Sequence, residues 1–94
     1  MTALGDLDGR EPVRRDTARP GHTVAVVGDL GTSAAGLALL LNDIGDHDEL
    51  RARHLVPRPP YGQGRVAADA GATAMTDVSD GLLADLGHIA EASG

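Results

Sequence analysis

The shortage of large apolar side chains limits what this chain can fold into more than any other feature of its sequence. Tyr61 is the only aromatic residue among 94, so a core must be built from Ala, Val, Leu and Ile. These side chains bury less area than aromatic rings do. Thirteen glycines add backbone entropy that folding must overcome. We therefore expect a freestanding domain of this composition to be marginal, and the chain to be a segment of a larger protein.

The charge balance excludes several classes of protein. The chain has a net charge of −6 and all eight of its cationic residues are arginines. Without a basic stripe or stacking aromatic residues it is not expected to bind nucleic acid. The absence of Lys excludes a Walker-type phosphate loop, and the absence of Cys excludes disulfides and thiolate metal sites. The longest apolar stretch, residues 34–41, is too short to span a bilayer, and no signal peptide is recognisable. We expect a cytoplasmic protein without a membrane partner.

Hydrophobic periodicity predicts an alternation of strands and helices. Strands are predicted within residues 2–16 on either side of an Asp8-Gly9 turn, and at 22–27 and 73–78. Helices are predicted at 33–43, 46–55, 61–72 and 80–93. This order indicates an α+β fold, built of α/β layers. Two main strands cannot form an independently stable sheet with covered edges, which again indicates a segment.

The stretch "GDLGTSAAGL", residues 28–37, has two interpretations. Its glycines could cradle a phosphate, but it lacks the Lys of a Walker loop and the third glycine of a dinucleotide fingerprint. We therefore favour a turn followed by a helix that is capped by Thr32 or Ser33. Gly36 should weaken this helix unless another backbone packs closely against it.

The stretch "TDVSDGLLADL", residues 76–86, contains the strongest candidate for chemistry. Ser79 or Asp80 could be an ordinary N-cap. Alternatively, Asp77 at a strand end and Asp80 at a helix start would project from the same end of the layer, where free helix amides favour an anion. Two carboxylates beside a bound phosphate suit Mg²⁺. The pattern alone leaves both interpretations open.

Other polar residues have a structural and a functional interpretation each. Asp85 and His88 lie one helical turn apart and could coordinate a metal, although a surface pair or satisfied partners is favoured. His54 is expected to be structural, and the acidic run 43–49 to be a solvated helix start. Arg58, between two prolines, could orient a loop near a nucleotide.

Three blocks of the sequence resemble bacterial thiamine-monophosphate kinases. The blocks are "GDLGTSAAGLALL", "RHLVPRPPYGQGR" and "AMTDVSDGLLADLGHIAEASG". These kinases belong to the superfamily of aminoimidazole ribonucleotide synthetase and selenophosphate synthetase. The resemblance covers the whole chain and about the middle third of such a kinase. It implies an incomplete C-terminal domain of the aminoimidazole ribonucleotide synthetase-like fold over residues 17–94, preceded by the end of the N-terminal domain and the linker in residues 1–16.

The resemblance also implies roles for individual residues. By similarity, Asp77 and Asp80 are Mg²⁺ ligands and Ser79 is an ATP contact. Thr76 stands where the family usually has Ile, and a hydroxyl at that position, expected to be buried, needs a partner.

A nucleotide contact by Arg15 is implied less directly. Its surroundings read "RRDTARPG", where relatives more often have Arg-Ser-Gly-Ala. Arg14 is therefore a rival, and Asp16 could weaken a phosphate contact.

The family reaction transfers the γ-phosphoryl group of ATP to the phosphate of thiamine monophosphate, giving thiamine diphosphate. Mg²⁺ would offset the repulsion between these anions. The resemblance implies a homodimeric parent protein, and we expect the segment alone to be inactive. The alternatives are another member of the superfamily, of the phosphoribosyl-amidine cyclo-ligase or selenophosphate synthetase type, and a non-catalytic acidic module whose aspartates only cap a helix.

Overall fold

Four helices and their connecting loops make up the computed structural model, which describes residue 2 and residues 4–94. Each helix overlaps a segment for which the sequence predicts one. The described part of the chain contains no strand. In chain order the helices are α1 (Thr32–Leu41), α2 (Asp48–Leu55), α3 (Gln63–Asp69) and α4 (Leu82–Ser93).

The predicted strands at 22–27 and 73–78 do not form a ladder with any described residue. A strand needs a neighbour for its backbone groups and cover for its apolar face. Residues 22–27 have no strand neighbour among the described residues. Their apolar side chains also lack cover, because Val24 and Val27 are 58% and 55% exposed. The α+β layering expected from the sequence is therefore not formed within this segment.

The predicted Asp8-Gly9 turn is present. The N–H of Arg10 donates to the carbonyl of Leu7 over 3.1 Å, and both central residues have positive φ, of 52° and 73°. Positive φ at both positions is what a two-residue hairpin turn requires. The strands predicted on either side of the turn are not formed among the described residues. Residue 3, which belongs to the first predicted strand, lies outside the described residues.

A short contact joins the segment after this turn to the segment before α4. The N–H of Met75 donates to the carbonyl of Arg14 over 3.1 Å, and the Thr17 hydroxyl donates to the carbonyl of Thr73. One backbone hydrogen bond does not make a ladder. It does hold the start of the acidic stretch against the N-terminal part of the chain.

Helices α1 and α2 are the only described pair that pack on each other. At their contact Gly36 is buried, and a Cβ placed on it would lie 2.0 Å from the carbonyl oxygen of Leu50. The condition that the sequence sets for this glycine, a closely packed neighbouring backbone, is therefore met. Ser33 Oγ lies 3.1 Å from His54 Nδ1 across the same contact, which gives that histidine a structural partner.

The predicted cap of α1 is wrong. Its N-cap is Gly31, without a side-chain hydrogen bond, and the Ser33 hydroxyl contacts α2 instead. The helix begins at Thr32, so Thr32 and Ser33 both lie inside it and neither occupies the cap position.

The chain does not close a core within the described residues. No apolar side chain among them is fully buried, and the radius of gyration is 15.9 Å. A compact domain of this length would have a radius of about 12 Å. Among the described helices, none is long and apolar enough to cross a membrane.

Candidate functional site

The acidic stretch forms a loop that leads into α4. The helix begins at Leu82, and its N-cap is Gly81 with φ 118° and ψ 150°. Non-glycine residues hardly ever adopt this backbone conformation. The sequence predicts that Ser79 or Asp80 caps the helix, but the structure shows no side-chain cap hydrogen bond. That prediction is wrong, because a different carboxylate holds the loop.

That carboxylate is Asp85, which lies in the first turn of α4. Its Oδ2 accepts hydrogen bonds from the N–H groups of Ser79, Asp80 and Gly81, over 2.9, 3.0 and 3.2 Å. Asp85 is only 4% exposed and is the one buried polar or charged residue in the described part of the chain. The other oxygen, Oδ1, lies 3.5 Å from Nδ1 of His88. Asp85 and His88 are therefore satisfied partners, as the sequence favours. They are not a surface pair, because Asp85 is buried.

The hydrogen bonds decide the ionisation of Asp85. Burial desolvates the carboxylate and acts to raise its pKa, but the amides of Asp80, Ser79 and Gly81 and the nearby His88 outweigh it. The pKa of Asp85 therefore lies below its usual value, and the side chain is an anion at neutral pH. Charge-assisted hydrogen bonds are stronger than neutral ones, so the ionised carboxylate is a firm anchor for the loop.

Asp77 and Asp80 have the opposite environment. Both are exposed, and neither carboxylate accepts a hydrogen bond within the described residues. The ion pairs there involve other acids: Asp16, Glu49, Asp69 and Asp85. Two free carboxylates are a donor set that Mg²⁺ accepts, since this ion uses one or two of them together with water and phosphate oxygens. The residues present thus fit the implied metal.

The donor set is nevertheless small. No group of three or more His, Asp or Glu side chains that could hold a metal occurs in residues 2 and 4–94. Any further ligands must come from a bound phosphate, from water or from protein groups outside this segment.

The backbone amides of the loop are not free for an anion. The sequence suggests that helix amides at this end would favour a phosphate, but three of the loop amides already donate to Asp85. These three amides are therefore taken. The expectation concerned the amides of the helix itself, which begins at Leu82, and for those it stays a prediction. The Ser79 hydroxyl is exposed and makes no hydrogen bond in the described part of the chain, so it can donate to a ligand.

Arg15 lies at the other end of α4. Its carbonyl accepts a hydrogen bond of 3.2 Å from Ser93 Oγ, at the last residue of the helix. A helix of this length places its two ends about 17 Å apart. Arg15 and Ser79 therefore cannot hold the same phosphate in this arrangement.

The structure also separates Arg15 from its rival. Arg14 forms an ion pair with Asp16, whereas Arg15 takes part in no ion pair of the described residues. Asp16 thus neutralises Arg14 rather than Arg15. Thr76, expected to be buried, is exposed, so its hydroxyl needs no protein partner.

Sequence reasoning missed the part that Asp85 has in the loop. The signal was its register, because Asp85 falls on the same side of α4 as Leu82, Leu86 and Ile89. A carboxylate within an apolar stripe must find partners. The amides that precede the helix supply such partners.

Comparison with known proteins defines the class. Residues 19–94 match the family described as "AIR synthase related protein, C-terminal domain". The chain belongs to this family.

Particular relatives carry a more specific name. The chain is 68% identical, over all of its 94 residues, to a thiamine-monophosphate kinase of Mycobacterium tuberculosis, of which it covers 28%. It is 47% identical over 100 aligned positions to that of Corynebacterium glutamicum and 48% identical over 84 to that of Escherichia coli, covering 30% and 26% of them. The resemblance predicted from the sequence is confirmed, and the chain spans less than a third of these relatives. No solved structure matches.

Proposed function

We propose that this chain is part of a kinase that phosphorylates thiamine monophosphate with ATP, and that it contributes one part of the metal and nucleotide site. The observation that carries the proposal is the 68% identity, along the whole chain, to the Mycobacterium tuberculosis relative of that name. The free carboxylates of Asp77 and Asp80 on either side of the Ser79 hydroxyl support it.

The residues of the loop have different roles in this proposal. Asp77 and Asp80 would hold Mg²⁺, which when bound offsets the repulsion between two phosphate anions. Ser79 donates its hydroxyl hydrogen to a phosphate oxygen of ATP. In the reaction, a phosphate oxygen of thiamine monophosphate forms a bond to the γ-phosphorus, and the bond from that phosphorus to the bridging oxygen of ADP breaks. The acceptor is already an anion, so the reaction needs little help from a general base.

Arg15 has a separate role in this proposal. Because it lies about a helix length from Ser79, it would contact a part of the nucleotide other than the phosphate that Ser79 binds. Arg15 forms no ion pair with any described residue, which leaves its guanidinium available. Residues 1–16 would complete the N-terminal domain and linker and residues 17–94 open the C-terminal domain, whose α+β layers form only with the strands of the rest of a homodimeric, cytoplasmic parent.

A segment exchange tests the proposal. In the Mycobacterium tuberculosis relative, the matching segment is replaced by this chain, and the product is called the exchange protein below. We expect the exchange protein to form thiamine diphosphate from thiamine monophosphate, ATP and Mg²⁺. The matched control carries Asp77→Asn in the same background and should lose most of this activity.

The alternatives predict other results. If a protein with this segment phosphorylates formylglycinamidine ribonucleotide or selenide and not thiamine monophosphate, a different superfamily activity is correct. If Asp77→Asn leaves turnover and Mg²⁺ dependence unchanged, the acidic stretch is only a structural module. Both outcomes contradict the proposal.

A further inference from the structure

The loop that carries Asp80 and Ser79 is held by a single side-chain atom. Oδ2 of Asp85 accepts three backbone hydrogen bonds, from Ser79, Asp80 and Gly81. Three consecutive amides that converge on one oxygen fix the path of the backbone between them. The direction in which the Asp80 and Ser79 side chains leave the loop follows from that path.

Asp85 is not itself arranged as a metal ligand. A carboxylate offers about two lone-pair sites on each oxygen, so three donors already saturate Oδ2. Oδ1 lies against His88, 3.5 Å from its Nδ1, and the side chain is buried. The free carboxylates of the loop, by contrast, are exposed.

A second feature shows that the loop is built for one conformation. Gly81 combines φ 118° with ψ 150°, which other residues avoid. Apart from its own chain neighbours, no described atom lies within 4 Å of the position where a Cβ would be, so the glycine is required by its backbone angles and not by crowding. The backbone angles of Gly81 and the hydrogen bonds to Asp85 thus both fix the conformation of this loop.

We propose that Asp85 is a positioning residue for the phosphoryl-transfer site: its carboxylate holds the loop amides so that Asp80 and Ser79 face metal and phosphate. This deepens the proposed function and rests on it. Asp85 acts through Asp80 and Ser79 and touches no reactant. Its removal should therefore loosen the loop first and weaken metal binding as a result.

The experiment compares three variants of the exchange protein: Asp85→Ala, Asp85→Asn and Glu91→Gln. Asn keeps one oxygen that can accept amide hydrogen bonds, so it is the conservative variant. Glu91 lies exposed on the same helix, so its change to Gln is a matched loss of one negative charge. Hydrogen exchange of the peptide over residues 76–83 and Mn²⁺ affinity by electron paramagnetic resonance are measured for each, with Mn²⁺ as the probe of the Mg²⁺ site.

We expect Asp85→Ala to speed exchange of the loop amides at least tenfold and to weaken Mn²⁺ binding several-fold. Asp85→Asn should lie between it and the unchanged protein, and Glu91→Gln should have no effect on either measurement. Peptides from α1 and α2 report whether a variant still folds. If Asp85→Ala alters them as well, Asp85→Asn decides the test.

Two results would overturn the inference. One is loop exchange in both Asp85 variants equal to that in Glu91→Gln; the other is a looser loop with unchanged Mn²⁺ affinity. Failure of the proposed function would give other results. Either Mn²⁺ does not bind even the unchanged exchange protein, or Asp77→Asn does not change its activity. Neither result depends on the exchange rates of the loop amides.

Discussion

The substitution Gly36→Ala tests the close approach of α1 and α2. The added methyl group would meet the carbonyl oxygen of Leu50 at 2.0 Å and the Cβ of His54 at 3.0 Å. Ordinary contacts begin near 3.4 Å, so α1 and α2 would have to separate by more than about 1 Å. The obstacle is backbone, which cannot rotate away as the end of a long side chain can.

Two effects of opposite sign determine the size of the change. Replacing glycine by alanine in a helix stabilises it by about 1 kcal/mol. Overpacking a close contact costs about 1–3 kcal/mol, and the rigid backbone obstacle at 2.0 Å puts this contact in the upper part of that range, about 2–3 kcal/mol. We therefore expect Gly36→Ala to destabilise the helix pair by about 1–2 kcal/mol, which raises the open population roughly five- to thirty-fold.

The matched control is Gly87→Ala in the interior of α4. Gly87 has ordinary helical φ, and nothing lies within 4 Å of its added Cβ. The same chemical change there should stabilise α4 by about 1 kcal/mol, because only the helix propensity acts. The two substitutions should therefore change stability in opposite directions, although the chemical change is the same at both positions.

Hydrogen exchange in the exchange protein measures both effects locally. Amides of residues 32–55 report on α1 and α2, and those of residues 82–93 report on α4. Gly36→Ala should speed exchange in the first group, and Gly87→Ala should slow it in the second. If Gly36→Ala slows exchange as Gly87→Ala does, the helices do not approach closely at this glycine and the packing argument is refuted.

The acidic loop and the length of the chain lead to four further predictions. Asp77→Asn should lower the kcat of the exchange protein about 100-fold or more, because a metal supplies several kcal/mol of charge stabilisation; Asp69→Asn, an exposed acid paired with arginine, is the control and should not. Gly81→Ala should strain the loop by about 1–3 kcal/mol and speed its amide exchange, and unchanged exchange would contradict the φ argument. In metal-free protein the loop should be fully ordered above the usual aspartate pKa and should lose order as the pH falls through the lowered pKa of Asp85, which exchange measured against pH can show. The 94-residue chain alone should form no thiamine diphosphate, and product from the purified chain would contradict its being one part of a site.

The helices could be predicted from the sequence because their signals are local. Leu82, Leu86 and Ile89 mark one face of α4 by spacing alone, and the charge order of α2 indicates a helix whatever surrounds it. The close approach at Gly36 could also be anticipated, since a glycine early in an otherwise good helix needs a reason.

The strands could not be predicted in the same way. Residues 22–27 have the β-branched composition of a strand, yet they carry no ladder within this segment. Strand composition describes a surface that fits between neighbours, and the neighbours decide whether the ladder forms. Among the described residues of the predicted strands, the backbone hydrogen bond between Met75 and Arg14 is the one that joins two such segments.

The candidate site shows the same division between local and non-local information. The stretch 76–86 contains three aspartates that composition cannot distinguish. Their environments follow from the position of each relative to α4. Asp77 and Asp80 precede the helix and stay exposed, whereas Asp85 falls on the apolar stripe and is buried. A buried carboxylate without partners would be too costly to keep, so it takes the amides that precede the helix. Those amides can then no longer bind a phosphate, which is why the proposed function gives anion binding at the loop to the Ser79 hydroxyl and to a metal held by the two exposed acids. Burial thus separates Asp85, which holds the loop, from Asp77 and Asp80, whose carboxylates stay exposed.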